Sequence, residues 1–500
     1  MPCTTILVGR NASYDGSTIV ARNEDSAGGT FDPKQFLVVD PAGKSSYTSV
    51  ISHLTIPLPE GGRRYTTLPN ADRKEGLWEE AGFSIRNVGM SATETLTTNE
   101  RVLGADPFVT LRPAVGTPGE EGYEPEVAGG IGEEDMVTLV LPYMRSARDG
   151  VRILGSLLER YGTYESNGIA FCDVNEIWWM ETVGGHHWIA RRVPDDCYVT
   201  MPNQLGLDSF DLVDALGEKR EHLCSADMGA FVDENHLDVS LDGRLNPRDA
   251  FGSRSDADHV YNTPRAWAMQ RHLNATSNTW DGPTADYRPE DDDIPWCRVP
   301  ERKVTIEDVK YVLSLHYQGT PFDPYGTLGT PASRGMYRPI GINRNNHLAV
   351  LQLRPYEPLA SRALEWVAYG SNVFNVLVPF YANITTTPGY LADTTTRVTT
   401  ESFYWANRIV AALADANFGA SLPHVERYQE KVGAAARAII GETDRAIRDG
   451  DVDCVAAHEP LEEANRRIAA LLRTETDELL DHVLYETSMR MRNAFSRSDN

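Results

Sequence analysis

Residues 1–25, MPCTTILVGRNASYDGSTIVARNED, decide how this chain reads. The run from Cys3 to Val8 is β-branched and apolar, the composition of a strand. Ala12 to Gly16 supplies turn residues, and Ser17 to Ala21 returns to strand composition. Pairing the two runs antiparallel brings Arg22 and Asp25 back beside Cys3. Only Met1 and Pro2 precede Cys3, so trimming them would leave one residue carrying both a thiol nucleophile and a free α-amine to act as its base. Two plainer readings compete. A single early cysteine is more often a small buried hydrophobe than a nucleophile, and Arg22 with Asp25 can equally be an ion pair closing a hairpin.

The same residues tip this balance through a resemblance. Cys3 to Gly9, Tyr14 to Thr18 and Ala21 to Ser26 are similar to the opening of the dipeptidase A and secernin family, cysteine-type N-terminal-nucleophile (Ntn) hydrolases. The related choloylglycine hydrolases and penicillin V acylases share a Cys followed by Arg-x-x-Asp. The resemblance implies an α+β fold, the Ntn αββα sandwich with two antiparallel sheets between helical layers. It also implies hydrolysis of unblocked dipeptides by Cys3 through a thioester.

Composition sets outer bounds. Five hundred residues with a formal net charge of −25 allow a large core and argue against nucleic acid or an anionic membrane surface as partner. With no apolar signal region and no continuous apolar span, the expected location is cytoplasmic. The cysteines Cys3, Cys172, Cys197, Cys224, Cys297 and Cys454 lack Cys-x-x-Cys or Cys/His spacing, so neither a disulfide framework nor a structural zinc site is expected. His186 and His187 stand next to each other in strand-like sequence and should point to opposite faces. No metal and no cofactor is therefore expected, and nothing opposes a homo-oligomer.

Further along, strands are expected at Phe36 to Val39 and around Leu54 to Ile56, and again between Trp78 and Thr95. The segment Gly89 to Thr95 again resembles the family. Related acylases carry an oxyanion-hole Asn near there, whereas this chain has Thr93-Glu94; Glu94 is instead a candidate for meeting a substrate ammonium. Met136, Leu139, Val140 and Tyr143, then Val151, Leu154, Leu157 and Leu158, recur at helical spacing up to Gly162. From Asn167 to Met201 four strand-like runs alternate with turns, reading as one antiparallel meander. Asn203 follows in MPNQ, at the place where the resemblance puts an oxyanion-hole Asn. In YNTPRAW, residues 261–267, the resemblance makes Arg265 the second active-site arginine; the alternative is a structural arginine opening a helix after Pro264. The family likeness continues through Tyr381 and so covers nearly the whole chain.

The last hundred residues change character. Three amphipathic stripes, Phe403 to Leu413, Val425 to Ile440 and Leu461 to Leu484, predict an antiparallel helical appendage. The expected division is residues 1–400 as the hydrolase domain and 401–500 as helices packed on it.

Assembled, the expected machinery has Cys3 as nucleophile and base, Arg22 favouring its thiolate and Asp25 orienting its α-amine. Asn203 serves the oxyanion, and Arg265 holds this corner or a substrate group. The alternatives are an amidase or acylase on N-acyl substrates, which Thr93-Glu94 disfavours, and a secernin-like protein that acts through partners.

Overall fold

A computed structural model describes residues 3–28 and 30–491, with the backbone alone at Thr93; Met1 and Pro2, and with them the expected trimming, lie outside the described residues. Two antiparallel sheets stack face to face. The seven-stranded sheet runs, edge to edge, Cys297–Arg298, Tyr198–Met201, Cys3–Val8, Thr18–Asp25, Asn345–Leu353, Ala363–Tyr369 and Val378–Tyr381. The eight-stranded sheet runs His222–Cys224, His187–Arg192, Ile177–Val183, Asn167–Cys172, Val88–Thr95, Ala81–Ser84, Tyr65–Thr67 and Leu37–Val39. A helical layer covers each outer face, which gives the expected αββα sandwich.

The first hairpin lies in the middle of this stack. Every residue of Cys3–Val8 and of Thr18–Asp25 is buried, because one face meets the second sheet and the other meets helices and loops. Such double burial ordinarily demands an apolar run. Cys3–Val8 nearly satisfies that, but Thr18–Asp25 ends in Arg22, Asn23, Glu24 and Asp25, all buried. Four buried polar residues in a row must be matched by partners or they unfold the protein. They are matched, and the matching builds the site.

On the outer face of the eight-stranded sheet, the helix Ala147–Tyr161 lays Val151, Leu154 and Leu158 against Ile169, Phe171, Trp178 and Met180. Ser146 caps it by accepting the Asp149 N–H, and it stops at Gly162, whose φ of 70° favours glycine. On the other side the helices Phe403–Ala416, Phe418–Asp449 and His458–Ser488 cover the strands Ala363–Tyr369 and Val378–Tyr381. Polar ties fasten this layer: Arg354 donates to Asp444 at 3.0 Å, Tyr381 Oη to Asp444 at 2.8 Å, and the Tyr381 N–H to Asn465 at 2.9 Å.

Two expectations are corrected. The strands Asn167–Cys172, Ile177–Val183 and His187–Arg192 form the expected meander, but Tyr198–Met201 leaves it and pairs with Cys3–Val8 in the other sheet, Met201 opposite Thr5. The crossing segment passes so close to Gly9 that a Cβ there would lie 2.5 Å from the Pro194 carbonyl oxygen, and the Gly9 N–H donates to Cys197 O. His186 and His187 do not diverge either. His186 still belongs to the turn after Gly184, so both rings reach Asp106, at 2.9 and 2.7 Å.

Candidate active site

Strand alternation sorts the hairpin's side chains. Register pairs Cys3 with Glu24 and Thr5 with Arg22, so these four point together between the sheets, while Thr4, Asn23 and Asp25 point away. Arg22 donates from Nη1 to Cys3 Sγ at 3.1 Å and from Nε to Ser91 Oγ at 3.2 Å. Its other nitrogen serves the Glu80 carboxylate and the Ala92 carbonyl. Glu80 reaches it from a left-handed backbone, φ 63°, a conformation rare outside glycine and found where surroundings impose it. Burial opposes the Arg22 charge, and Cys3 and Glu80 more than restore it, so its pKa is raised. Burial pushes the Cys3 thiol well above its ordinary value, with Arg22 pulling against it. Burial thus favours the neutral thiol, while the Arg22 guanidinium favours the thiolate.

Behind Arg22 runs a chain of buried charges that the sequence did not reveal. Lys34 Nζ lies 2.6 Å from Glu24 and 3.9 Å from Glu80, and Glu24 also holds His347 Nδ1 at 2.7 Å. All of these side chains are buried. Burial, then Lys34, pushes His347 well below its usual value, leaving it neutral. Glu80 is pushed up to about 7 by burial and by Glu24, with Arg22 and Lys34 opposing. A visible signal existed: Asn345-Asn346-His347 opens an otherwise apolar strand, and Glu79-Glu80 precedes Ala81–Ser84.

Asn203 and Arg265 arrive from the crossing strand and from the helix Thr263–Leu273. Cys3 donates its backbone N–H to Asn203 Oδ1 at 3.1 Å, Arg265 donates to the same oxygen at 2.8 Å, and Asn203 Nδ2 donates to the Thr95 carbonyl at 3.0 Å. Arg265 also serves the Cys3 carbonyl, Thr4 Oγ1 at 2.6 Å and Asn262 at 2.8 Å. Burial, then the neighbouring Arg338, lowers Arg265 to about 10. Of the four expected partners of Cys3, then, the structure brings Arg22, Asn203 and Arg265 to it. Asp25 lies on the hairpin's other face, where Arg338 and Asn345 donate to its two oxygens.

Glu94 is buried between the sheets. Thr5 Oγ1 donates to its Oε2 at 2.7 Å, and its Oε1 has no hydrogen-bond partner among the described residues. Burial pushes it up to about 8 against the pull of Arg265 and Thr5. Two further carboxylates adjoin this end. Thr95 Oγ1 donates to Glu133 at 3.3 Å, and the Glu133 N–H donates to Glu165 at 2.8 Å. Burial and Glu133 push Glu165 up to about 7. A cleft of about 350 Å³ opens here, lined by Thr95, Asn203, Ser253, Ser255, Tyr261 and Asn262 among others. Among the described residues, no group of three or more His, Cys, Asp or Glu side chains is placed to hold a metal ion.

The model of peptidase family C69 matches residues 2–431 of this sequence. The chain belongs to peptidase family C69. In this cysteine-type Ntn-hydrolase family it is similar to a protein named dipeptidase from Bifidobacterium longum (strain NCC 2705), 60% identical over 538 residues and covering all of both chains. It is 49% identical to a probable dipeptidase A of Streptococcus pyogenes serotype M3, again over all of both chains. A dipeptidase A of Lactobacillus helveticus is 41% identical, across 97% of this chain and 96% of that one. No helix among the described residues is long and apolar enough to cross a membrane.

Proposed function

We propose that Cys3, freed of Met1 and Pro2, is the nucleophile of peptide hydrolysis here, with its own α-amine as base. The chain is a cysteine-type dipeptidase. The observation that carries the assignment of Cys3 is the pair of bonds on that one residue: Arg22 Nη1 on its sulfur at 3.1 Å and Asn203 Oδ1 on its nitrogen at 3.1 Å. A buried thiol whose pKa is raised needs a proton acceptor, and an α-amine of ordinary pKa near ~7.7–8.0 sits on the same residue.

The sulfur gives its proton to the amine and attacks the scissile carbonyl. The tetrahedral oxyanion collapses to a thioester as the amine returns the proton to the leaving nitrogen, and water then attacks the thioester by the same route in reverse. Asn203 Nδ2, held at the site by its bond to Thr95 O, is the donor that serves the oxyanion. Arg265 fixes the Asn203 oxygen and the Cys3 carbonyl, so its role is positioning. Asp25 anchors Arg338 and Asn345 behind the nucleophile and steadies the hairpin end. The acidic corner of Glu94, Glu133 and Glu165 suits the free ammonium of a dipeptide, and a 350 Å³ cleft suits a substrate of that length.

All six cysteines are free thiols, which fits a reducing compartment, the cytoplasm. Intact mass of purified active enzyme, with rates on free and N-acetylated dipeptides, tests the reading. A terminus at Cys3 and a preference for free dipeptides support it. Activity with Pro2 retained would overturn the α-amine mechanism, and equal rates would point to an acylase.

A further inference from the structure

A second cavity lies away from the cleft. It measures about 640 Å³ and opens between the helix Ile306–Val312, the strand Ala363–Tyr369 and the long helix Phe418–Asp449. Trp366, Val373, Val376, Leu377, Phe418 and Leu422 make its wall apolar. Lys310 stands in this wall. The residue is partly exposed, and its ammonium donates to Ser314 Oγ at 2.9 Å and to the Asn372 carbonyl. Burial pushes it down to about 7, with no compensating carboxylate among the described residues.

The other charges around the cavity are spoken for or face water. Arg437 pairs with Glu307 and lies 4.8 Å over the Trp366 ring. Asp323 holds His316 Nδ1 at 2.9 Å. Glu426 and Glu430 are exposed on the rim.

The geometry points to a binding site in this cavity for a small apolar carboxylate, its acid group on Lys310 and its body against Trp366, Leu377 and Phe418. The volume is that of small-molecule sites, which pair an apolar lining with a few convergent polar groups. A partly buried ammonium with no carboxylate partner among the described residues is costly, and a bound carboxylate supplies that partner with a charge-assisted bond. A doubly charged phosphate suits it less, since Glu307, Asp323, Glu426 and Glu430 share the cavity lining with Lys310. The place matters as well. The Asn372 N–H donates to Asn345 Oδ1 at 3.2 Å, and Asn345 Nδ2 donates to Asp25, so an asparagine pair joins this cavity to the back of the catalytic hairpin. Two sources share the required chemistry: an amino acid released by hydrolysis, whose ammonium would face the Glu426 and Glu430 rim, and a simple carboxylic acid.

Calorimetry on the full-length enzyme at pH 8 tests this with 3-phenylpropionate, 3-phenylpropan-1-ol and L-phenylalanine. The expected result is that phenylpropionate binds at least tenfold tighter than the alcohol, that Lys310→Met weakens it at least tenfold, and that binding takes up close to ~1 proton as Lys310 regains its charge. A Cβ on Gly433 meets nothing within 4 Å, so Gly433→Leu fills the cavity from the helix wall without disturbing the fold. It should abolish phenylpropionate binding and leave dipeptide hydrolysis unchanged. Phenylalanine binding tighter than phenylpropionate, and lost in Gly433→Leu, assigns the site to amino acids; the reverse order assigns it to simple acids. Absence of phenylpropionate binding, equal binding of acid and alcohol, or Lys310→Met within twofold of the parent would overturn the proposal.

Discussion

The two faces of the first hairpin solve the same problem in opposite ways. Between the sheets, Cys3, Arg22 and Glu24 meet Glu80, Lys34 and His347, an arrangement in which buried carboxylates are raised and the one histidine is neutral. On the other face, Thr4, Asn23 and Asp25 meet Arg265, Arg338 and a set of asparagines, and there it is a cation, Arg265, that is lowered. The difference teaches that Cys3 is gripped from both sides of one sheet, its sulfur by a guanidinium on the inner side and its backbone by an arginine and an amide approaching from the outer side.

Removing the sulfur tests the centre on which both grips act. Cys3→Ala should lower dipeptide hydrolysis at least ~10⁴-fold with an unchanged circular dichroism spectrum, since a small buried residue replaces another. Residual turnover close to the parent's would detach Cys3 from the chemistry.

Arg22→Ala and Asp25→Ala break one grip each. The first should cost on the order of a hundredfold or more in turnover. It should also cost about 3–5 kcal/mol of stability, because buried Glu80 loses its closest cation and keeps only Lys34 at 3.9 Å. Adding Glu80→Gln should restore the melting temperature without restoring turnover. Asp25→Ala should likewise cost about a hundredfold in turnover; a near-parental rate would make the outer face a structural frame only.

Glu94→Gln separates recognition from chemistry. Free dipeptides should lose part of their advantage over N-acetylated ones, because a neutral amide no longer pairs with an ammonium. It should also change stability with pH in a definite sense. With a folded pKa of about 8 against an unfolded value near ~4.3, Glu94 stabilises the fold fully below the unfolded value and loses that contribution as pH rises through 8. The parent's melting temperature should therefore fall relative to the variant's between pH 5 and 8. Parallel curves would place Glu94 in water.

The smallest effect on turnover is expected far from the hairpin. Leu472 is buried in the helix His458–Ser488. Leu472→Ala should cost ~2–5 kcal/mol of stability and leave the rate below the unfolding transition within twofold of the parent's. A large loss of rate would tie the helical layer to the site.

Much of this was legible because period and punctuation are local. The hairpin of Cys3–Val8 with Thr18–Asp25, the helix ending at Gly162 and the three C-terminal stripes all follow from spacing within a few residues. The fourth strand of the apparent meander misled, since its composition suits either sheet and only the third dimension decides that Tyr198–Met201 pairs with Cys3–Val8. The partners Lys34, Glu80, Arg338, Asn345 and His347 stayed hidden for a related reason. Nothing near them in sequence says that the buried end of Thr18–Asp25 needs charges from four distant segments. Strand parity could have flagged Asp25: two residues three apart on a strand face opposite ways, so an Arg22 turned to the Cys3 sulfur sends Asp25 to the hairpin's other face.

The crossing of Tyr198–Met201 between sheets also sets a clock. Cys3 is synthesised before its partners, since Asn203 stands 200 positions later and Arg265 262 positions later. At ~5–20 residues per second of synthesis, roughly 10 to 50 s pass before the nascent thiol can meet both. Until then Cys3 has its hairpin partner Arg22 but neither Asn203 nor Arg265.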